Sequence, residues 1–215
     1  MSFAASQLVL QLADSALPAG GFAHSGGLEA AWQMGEIPDR QSLAPFLEAS
    51  LRQASTASLP FVMAAHRQPA SLPDLDAHCD AWISNHVSNR ASRLQGRAFW
   101  TAITHAFLPD SPPPPQPGHF APAFGVLLCW LKLPPETTAH LFLFQHLRGL
   151  ISAAVRLGIM GPLEAQGVQF RLGATVATLA AQAQQFSLDD LAQTAPLLDL
   201  FQGTQDRLYS RLFQS

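Results

Sequence analysis

A chain of 215 residues is long enough to bury the core of one domain, and its net charge of −3 excludes the basic surface that nucleic-acid binding requires. Polar and basic residues interrupt the most apolar segment, 141–157, so no run reaches the roughly 18 residues that a membrane helix needs. The N-terminus lacks the features of a secretion signal, and the two cysteines, Cys79 and Cys129, lie among apolar residues. We therefore expect a cytoplasmic protein with free thiols that binds neither nucleic acid nor membranes.

The predicted elements begin with two short helices on either side of a turn. Leu8 and Leu12 share one helix face and precede a turn at 15–21, where serine, proline and glycine are the typical turn residues. Leu28 and Trp32 restart the four-residue spacing after this turn. The pattern therefore predicts helix, turn and helix.

Further helices follow before the middle of the chain. Asp39 is placed to cap a helix whose apolar face is formed by Leu43, Phe46, Leu47 and Leu51. Pro60 must end or kink that helix, because proline has no N–H and clashes with the preceding turn. Asp74 is placed to open another helix, which we expect to carry Leu75, Cys79, Trp82, Ile83 and His86.

The second half contains the one clear loop. Residues 109–119 are rich in proline, and we interpret them as an exposed connector inside one domain, since neither half alone offers a sufficient core. Three helix-length segments follow, separated by prolines and glycines, at 120–133, 134–158 and 161–184. The Asp189-Asp190 pair after Ser187 is placed to start one more helix. The sequence predicts an all-α, single-domain bundle of roughly eight to ten helices over residues 1–215.

No catalytic or metal-binding motif occurs in the chain. Its eight histidines form no HExxH pair, its cysteines form no CxxC pair, and its glycines form no phosphate-binding loop. The G-x-S-x-G turn of serine hydrolases is also absent. We therefore predict no catalytic residue, no tightly bound metal and no resident cofactor.

The segment ADSALPAGGFAHSGGLEAA, residues 13–31, has the composition of a functional loop. An acid, hydroxyls, an imidazole and glycine pairs suit either a catalytic loop or a loop shaped for close contact. We favour the second, in which Asp14 and Ser15 hold the turn and glycines let another backbone approach. The candidate contact residues are Asp14, Ser15, Pro18, Gly20, Gly21, His24, Ser25 and Glu29.

The segment SNRASRLQGRAFW, residues 88–100, places Arg90, Arg93 and Arg97 on one helix face. These arginines form either a solvated stripe or a polar seam against a neighbouring helix or a partner. Gly96 would let another backbone come close. The candidate contact residues of this segment are Arg90, Ser92, Gln95 and Gly96.

The low charge content also bears on partners. Charged residues make up only 13% of the chain, about half the usual quarter, and apolar types make up 48%. Either the helical core is rich in alanine and leucine, or partner chains cover much of the surface. We favour partners, because large apolar patches mark interfaces.

These segments together resemble the UreF family of urease accessory proteins. The similarity extends along the whole chain and is carried by four motifs, at residues 12–31, 89–96, 146–166 and 208–215. The chain departs from the family pattern at two places. Relatives often carry a His-Glu pair shortly before the closing motif, where this chain has Gln205-Asp206, which weakens the expectation of a polar or metal-binding role there. The proline run 112–115 is peculiar to this chain.

The resemblance implies a non-enzymatic scaffold. UreF-type proteins are all-α homodimers that bind a UreD/UreH-type accessory protein and recruit the GTPase UreG, and this assembly delivers nickel to apo-urease. The family has been proposed both to modulate the GTPase and to line a nickel passage. By resemblance, we expect a homodimer with these partners, in which nickel is present only in transit.

The tail TQDRLYSRLFQS, residues 204–215, carries large apolar groups. As a helix, it would stack two pairs, Leu208 with Leu212 and Tyr209 with Phe213. Because exposure of these groups to water is unfavourable, they must dock either in the protein's own core or on a partner. The resemblance favours the UreD/UreH-type partner, with Arg207 and Arg211 at the rim and a mobile tail that becomes ordered on binding.

A second class of function stays open. A helical enzyme or small-ligand-binding protein would use an apolar pocket, for which the candidate lining residues are Trp82, Trp100 and Trp130. A saturable small ligand would favour this alternative, whereas co-purification with a urease accessory partner would favour the scaffold.

Overall fold

The computed structural model describes residues 3–215, and every regular element in this range is helical. The ten α-helices of the range are α1 (Phe3–Ala13), α2 (Leu28–Gln33), α3 (Arg40–Ala57), α4 (Leu59–Arg67), α5 (Leu72–Trp82), α6 (His86–Phe107), α7 (Phe120–Trp130), α8 (Pro135–Arg156), α9 (Pro162–Gln182) and α10 (Pro196–Thr204). None of them is long and apolar enough to cross a bilayer. The predicted all-α single domain is confirmed.

The signals at the start of α3 and α4 act as predicted. The Asp39 carboxylate accepts the N–H of Ser42 at 2.9 Å and so caps α3. The four predicted face residues of this helix are all buried. Pro60 lies in the first turn of α4, where a missing N–H leaves no hydrogen bond unmade. The proline therefore separates two helices instead of kinking one.

The centre of the core lies where α4, α7 and α8 meet. A Cβ added to Gly125 of α7 would lie 2.1 Å from the carbonyl oxygen of Val62 in α4, so the two backbones are in direct contact. Ring centroids 5.0 to 5.8 Å apart connect a cluster of phenylalanines from α6, α7 and α8, namely Phe99, Phe120, Phe124 and Phe142. Such packing fixes the relative positions of the helices that carry the candidate site.

Two predicted helix boundaries are wrong. The helix expected to run through Ile83 to His86 ends before Ile83, and His86 begins α6. Asn85 causes the break, because its side chain caps α6 by accepting the N–H groups of Val87 at 3.0 Å and Ser88 at 3.3 Å. The capping pair of Ser187 and Asp190 starts only a short 3-10 turn, and the last helix, α10, begins further along the chain.

The proline-rich connector joins α6 to α7 and is exposed over part of its length, but its end is buried. Asp76 in α5 accepts the N–H groups of Gly118 and His119, each at 2.7 Å. Near the start of the connector, the carbonyl of Pro112 accepts the indole N–H of Trp100 at 3.1 Å. The expectation of an exposed connector is therefore wrong for its last two residues, because buried side chains bind their backbone groups.

Candidate functional site

The opening segment begins with the turn that follows α1. The Asp14 carboxylate accepts the N–H of Ala16 at 2.9 Å, and the Ser15 hydroxyl lies 3.5 Å from the same oxygen. Both side chains are exposed, as is Pro18, which lies beside Arg97 at a shallow hollow on α6. The structure thus gives Asp14 the predicted turn-holding contact, whereas the contact of Ser15 is long.

The glycines of the same segment let it lie on α6. Gly20 has a φ of 75°, and a Cβ at this position would lie 3.1 Å from the Cβ of Ala98. A Cβ on Gly21 would lie 3.0 Å from the Gln95 amide nitrogen. The structure therefore brings the first motif, 12–31, against the second motif, 89–96, although they are far apart in sequence.

Ser92 and Gly96 of the second motif hold the end of the connector. A Cβ on Gly96 would lie 2.2 Å from the carbonyl oxygen of Gly118. The Ser92 hydroxyl accepts the N–H of Phe120 at 3.2 Å and lies 3.0 Å from Nδ1 of His119. The close backbone approach predicted for Gly96 occurs, and the backbone that approaches belongs to the same chain.

His119 links this motif to a carboxylate that sequence analysis missed. Its Nε2 lies 3.0 Å from Asp80, whose pKa is lowered by hydrogen bonds from Asn89 and then from His119. Ser92, His119 and Asp80 have the composition of a hydrolase triad, but Ser92 contacts Nδ1 instead of Nε2 and its oxygen already accepts a backbone N–H. The trio anchors the connector. No local pattern marks it, because its members lie on three separate elements.

The three arginines of α6 do not act as a unit. Arg90 donates from Nη2 to both carboxylate oxygens of Asp206 at 2.9 Å, and Arg211 reaches the same carboxylate at 2.9 Å. The Arg90 hydrogen bond lowers the pKa of Asp206. Arg90 therefore belongs to a polar seam, as one of the two interpretations predicted. Within residues 3–215 no ion pair involves Arg93, Arg97 or Arg207.

The predicted helix over residues 204–215 is wrong. One 3-10 turn follows α10, and the chain becomes extended at Leu208. Of the four large apolar side chains of the tail, only Phe213 is buried, whereas Leu212 is half exposed and Tyr209 is fully exposed. The i, i+4 pairing fails because the N–H groups of the tail bind to the opening segment instead of closing helical turns, and local spacing carries no information about such contacts.

Glu29 in α2 is the principal acceptor for the tail. Only 1% of its surface is exposed, and its carboxylate accepts the N–H groups of Leu212 at 2.6 Å and Phe213 at 3.1 Å. It also accepts the side-chain amide of Gln205 at 2.6 Å. Sequence analysis left a polar role of Gln205 in doubt, and the structure gives it one, because its amide donates to a buried carboxylate.

His24 and Ser25 hold the last residue of the chain. The N–H of Ser25 donates to the backbone oxygen of Ser215 at 2.5 Å, and the Ser25 hydroxyl donates to the same oxygen at 3.1 Å. Nδ1 of His24 lies 2.6 Å from the Ser215 hydroxyl. Burial, and then the positive charge of Arg90, lower the pKa of His24. The opening and closing motifs therefore form one site.

An arginine at the end of α8 also connects the two motifs. The Arg156 guanidinium carbon lies 3.9 Å from the ring centroid of Phe22 and 4.2 Å from that of Phe213. Its Nη1 donates to the carbonyl of Phe22 at 2.5 Å. Such a sandwich combines cation–π attraction with packing. Sequence analysis missed Arg156, for which the only signal was a lone cation at the end of a long apolar helix.

A cavity of about 270 Å³ lies between the opening segment, α3, α6 and α8. Its polar lining includes His24, Ser88, Gln95, Gln145, His146 and Gln202. Trp82 borders this cavity, but Trp100 and Trp130 pack against each other instead, with centroids 5.5 Å apart. The predicted pocket lined by all three tryptophans is therefore wrong. Among residues 3–215, no three His, Cys, Asp or Glu side chains are grouped to hold a metal.

Comparisons with known proteins agree on one family. A family model described as UreF matches residues 37–173. Urease accessory protein F of Arabidopsis thaliana is 36% identical over 95% of this chain and 90% of its own length, and that of Oryza sativa subsp. indica is 35% identical over 94% and 82%. The UreF protein of Bradyrhizobium diazoefficiens is 31% identical over 93% and 87%. The family is not known to be catalytic, as predicted for this chain. The chain belongs to the UreF family of urease accessory proteins.

Proposed function

We propose that this urease accessory protein acts in the cytoplasm as a scaffold. In this proposal the chain forms a homodimer, binds a UreD/UreH-type accessory protein, recruits the GTPase UreG and modulates its activity, so that nickel reaches apo-urease. The observation that carries the proposal is the union of the opening and closing motifs in one site around Glu29. Two distant motifs that build one surface are typical of a docking site for another protein.

The side chains around this site support a docking role. We use the term tail surface for four exposed apolar residues next to the union of the motifs, namely Phe22, Met34, Tyr209 and Leu212. Phe22 contacts Arg156, which also packs on the tail, and Gln33, beside Met34, donates to the carbonyl of Ser210 at 3.0 Å. Exposed apolar groups with charged neighbours are typical of the core and rim of an interface. We therefore place the accessory partner on the tail surface.

Nickel is the cargo in this proposal and not a resident cofactor. His24 and Ser215, whose side chains join the opening segment to the tail, both line the polar cavity. Burial lowers the pKa values of its two imidazoles, that of His146 to about 4. Neutral imidazole is a suitable ligand for a borderline divalent ion, so these side chains support transient contacts with nickel.

The proposal is tested by capturing partners from a lysate of the native host with the tagged chain. We expect the wild-type chain to retain the accessory protein and UreG, and deletion of its gene to abolish urease activity. The double variant Tyr209→Ser with Leu212→Ser should lose the accessory protein while keeping its Tm, because both side chains are exposed.

A matched control removes two exposed apolar groups elsewhere, with Phe3→Ser and Leu10→Ser on α1. This control should bind like the wild type. Capture of a small molecule but no urease accessory protein, together with normal urease activity in the deletion strain, would contradict the scaffold. Equal binding by both double variants would remove the tail surface from the proposal.

A further inference from the structure

The carboxylate of Glu29 is buried in the domain, and no cationic side chain among residues 3–215 donates a hydrogen bond to it. It accepts hydrogen bonds from the N–H groups of Leu212 and Phe213 and from the side-chain amide of Gln205. Burial of an ionised carboxylate is strongly unfavourable unless donors surround it. All three donors belong to the C-terminal region, so docking of the tail is what satisfies this carboxylate.

The position of Glu29 is set by α2 and not by the tail. Leu28, Ala30 and Ala31 beside it are fully buried, and the Ser25 hydroxyl accepts the Glu29 N–H at 3.4 Å. The acceptor is therefore part of the rigid core. The tail is the element that can move, because it is extended and buries only Phe213 among its large apolar side chains.

The other polar contacts of the tail have a different consequence when they are lost. Residues 23–25 and 214–215 exchange backbone hydrogen bonds, with Gln214 donating to Ala23 at 2.8 Å and Ser25 donating to Ser215 at 2.5 Å. Gln33 donates to the carbonyl of Ser210 from an exposed position. Water can replace the partner of the exposed Gln214, but Ser25 and Ser215 are buried, as Glu29 is. An undocked tail costs Glu29 three hydrogen bonds at once, and hydrogen bonds to a carboxylate are roughly twice as strong as neutral ones. Glu29 therefore sets the preference for the docked tail.

We propose that Glu29 fixes the tail in the free protein, so that the partner meets a preformed tail surface. This differs from the sequence-based expectation of a tail that is mobile until the partner binds. The claim that the partner meets a preformed tail surface rests on the proposed function, because it requires the accessory protein as the partner. A partner that recognises only the docked tail binds more weakly in proportion to the fraction of molecules in which the tail has left.

Hydrogen–deuterium exchange of the full-length free protein tests whether Glu29 fixes the tail. In the wild type, the amides of Leu212 and Phe213 should be protected from exchange. Glu29→Gln should accelerate their exchange at least tenfold, because the new amide group would place a donor against a donor. Glu36→Gln, which neutralises an exposed carboxylate just after α2, is the matched control and should exchange like the wild type.

A second variant keeps the test valid if Glu29→Gln fails to fold. Gln205→Leu removes one donor from the tail side and leaves α2 intact, and it should accelerate the same amides several-fold. Wild-type amides that exchange as fast as those of an unstructured peptide would overturn the proposal. Exchange rates in either folded variant equal to those of the wild type would also overturn it.

The claim of a preformed tail surface is tested by titrating the purified accessory protein into the wild type, Glu29→Gln and Glu36→Gln. Glu29→Gln should raise the Kd at least tenfold, while Glu36→Gln should leave it unchanged. A looser tail with an unchanged Kd would overturn the claim of a preformed surface. Failure of the wild type itself to bind the accessory protein would contradict the proposed function, whereas the exchange data would still decide the role of Glu29.

Discussion

Replacement of Gly96 by alanine tests how closely α6 approaches the connector. A Cβ at this position would lie 2.2 Å from the carbonyl oxygen of Gly118 and 2.7 Å from the nitrogen of Phe120. Real Cβ contacts essentially never fall below 3.0 Å, so the connector must shift by about 0.8 Å to accept the new methyl group. The obstacle is backbone, which cannot rotate away as a flexible side chain would.

The shift would strain contacts that hold the connector in place. Asp76 accepts two connector N–H groups at 2.7 Å, and Ser92 accepts the N–H of Phe120, the first residue of α7, at 3.2 Å. Overpacking costs about 1 to 3 kcal/mol, and weakening a hydrogen bond to a charged group adds about 1.5 kcal/mol. We expect Gly96→Ala to lower the free energy of unfolding by about 3 kcal/mol. The Tm should fall by about 6 to 12 °C, at about 2 to 4 °C per kcal/mol for a chain of this size.

The matched control is Gly173→Ala in α9, where an added Cβ meets no atom within 4 Å. This variant should be more stable than the wild type by up to about 1 kcal/mol, because alanine favours the helix interior. Urea unfolding followed by circular dichroism, with a thermal scan, measures both variants. A lower free energy of unfolding for Gly96→Ala together with a higher one for Gly173→Ala supports the close approach. A Gly96→Ala protein as stable as the wild type would refute it.

Three further predictions concern partner contacts and pH. Asp14→Ala should cost less than about 1 kcal/mol of unfolding free energy but reduce partner capture several-fold, because its turn contact is exposed; a variant that unfolds would contradict this. Arg93→Glu combined with Arg97→Glu should weaken the partner complex on size-exclusion chromatography, and an unchanged complex would leave both arginines as a solvated stripe. Burial lowers the pKa of His146 from 6.5 to about 4, so folding favours the neutral ring and protonation favours the unfolded chain. The free energy of unfolding should therefore fall by up to about 3 kcal/mol from pH 6.5 to pH 4. His146→Gln should flatten this slope in denaturation experiments, and an unchanged slope would contradict the assignment.

The helices were largely predictable, because their signals are local. The face of α3, its cap at Asp39 and the separation at Pro60 all depend on residues within a few turns of one another. Gly96 was also recognised from local sequence as a site of close approach, since a glycine in a helix interior needs a compensating role. The sequence did not reveal which backbone approaches, because the connector packs there through Asp76 in another helix.

The site was less predictable, because distant residues assemble it. The tail has helical spacing, but Leu212 donates to Glu29, which lies 183 positions away, and this contact replaces a helical turn. Likewise, three tryptophans suggested a common pocket, whereas Trp100 and Trp130 pack on each other. The motifs themselves were identified by resemblance, and only their positions in the structure show that the first and last of them form one surface.

The central claim, a scaffold role in urease maturation, is tested most directly by the nickel content of urease purified from the native host. Urease should be isolated from the wild-type strain, from a strain that lacks this gene, and from the deletion strain complemented with the gene. The account predicts that the deletion strain assembles urease with little nickel and little activity, and that complementation restores both. Urease with full nickel content and full activity in the deletion strain would contradict the account.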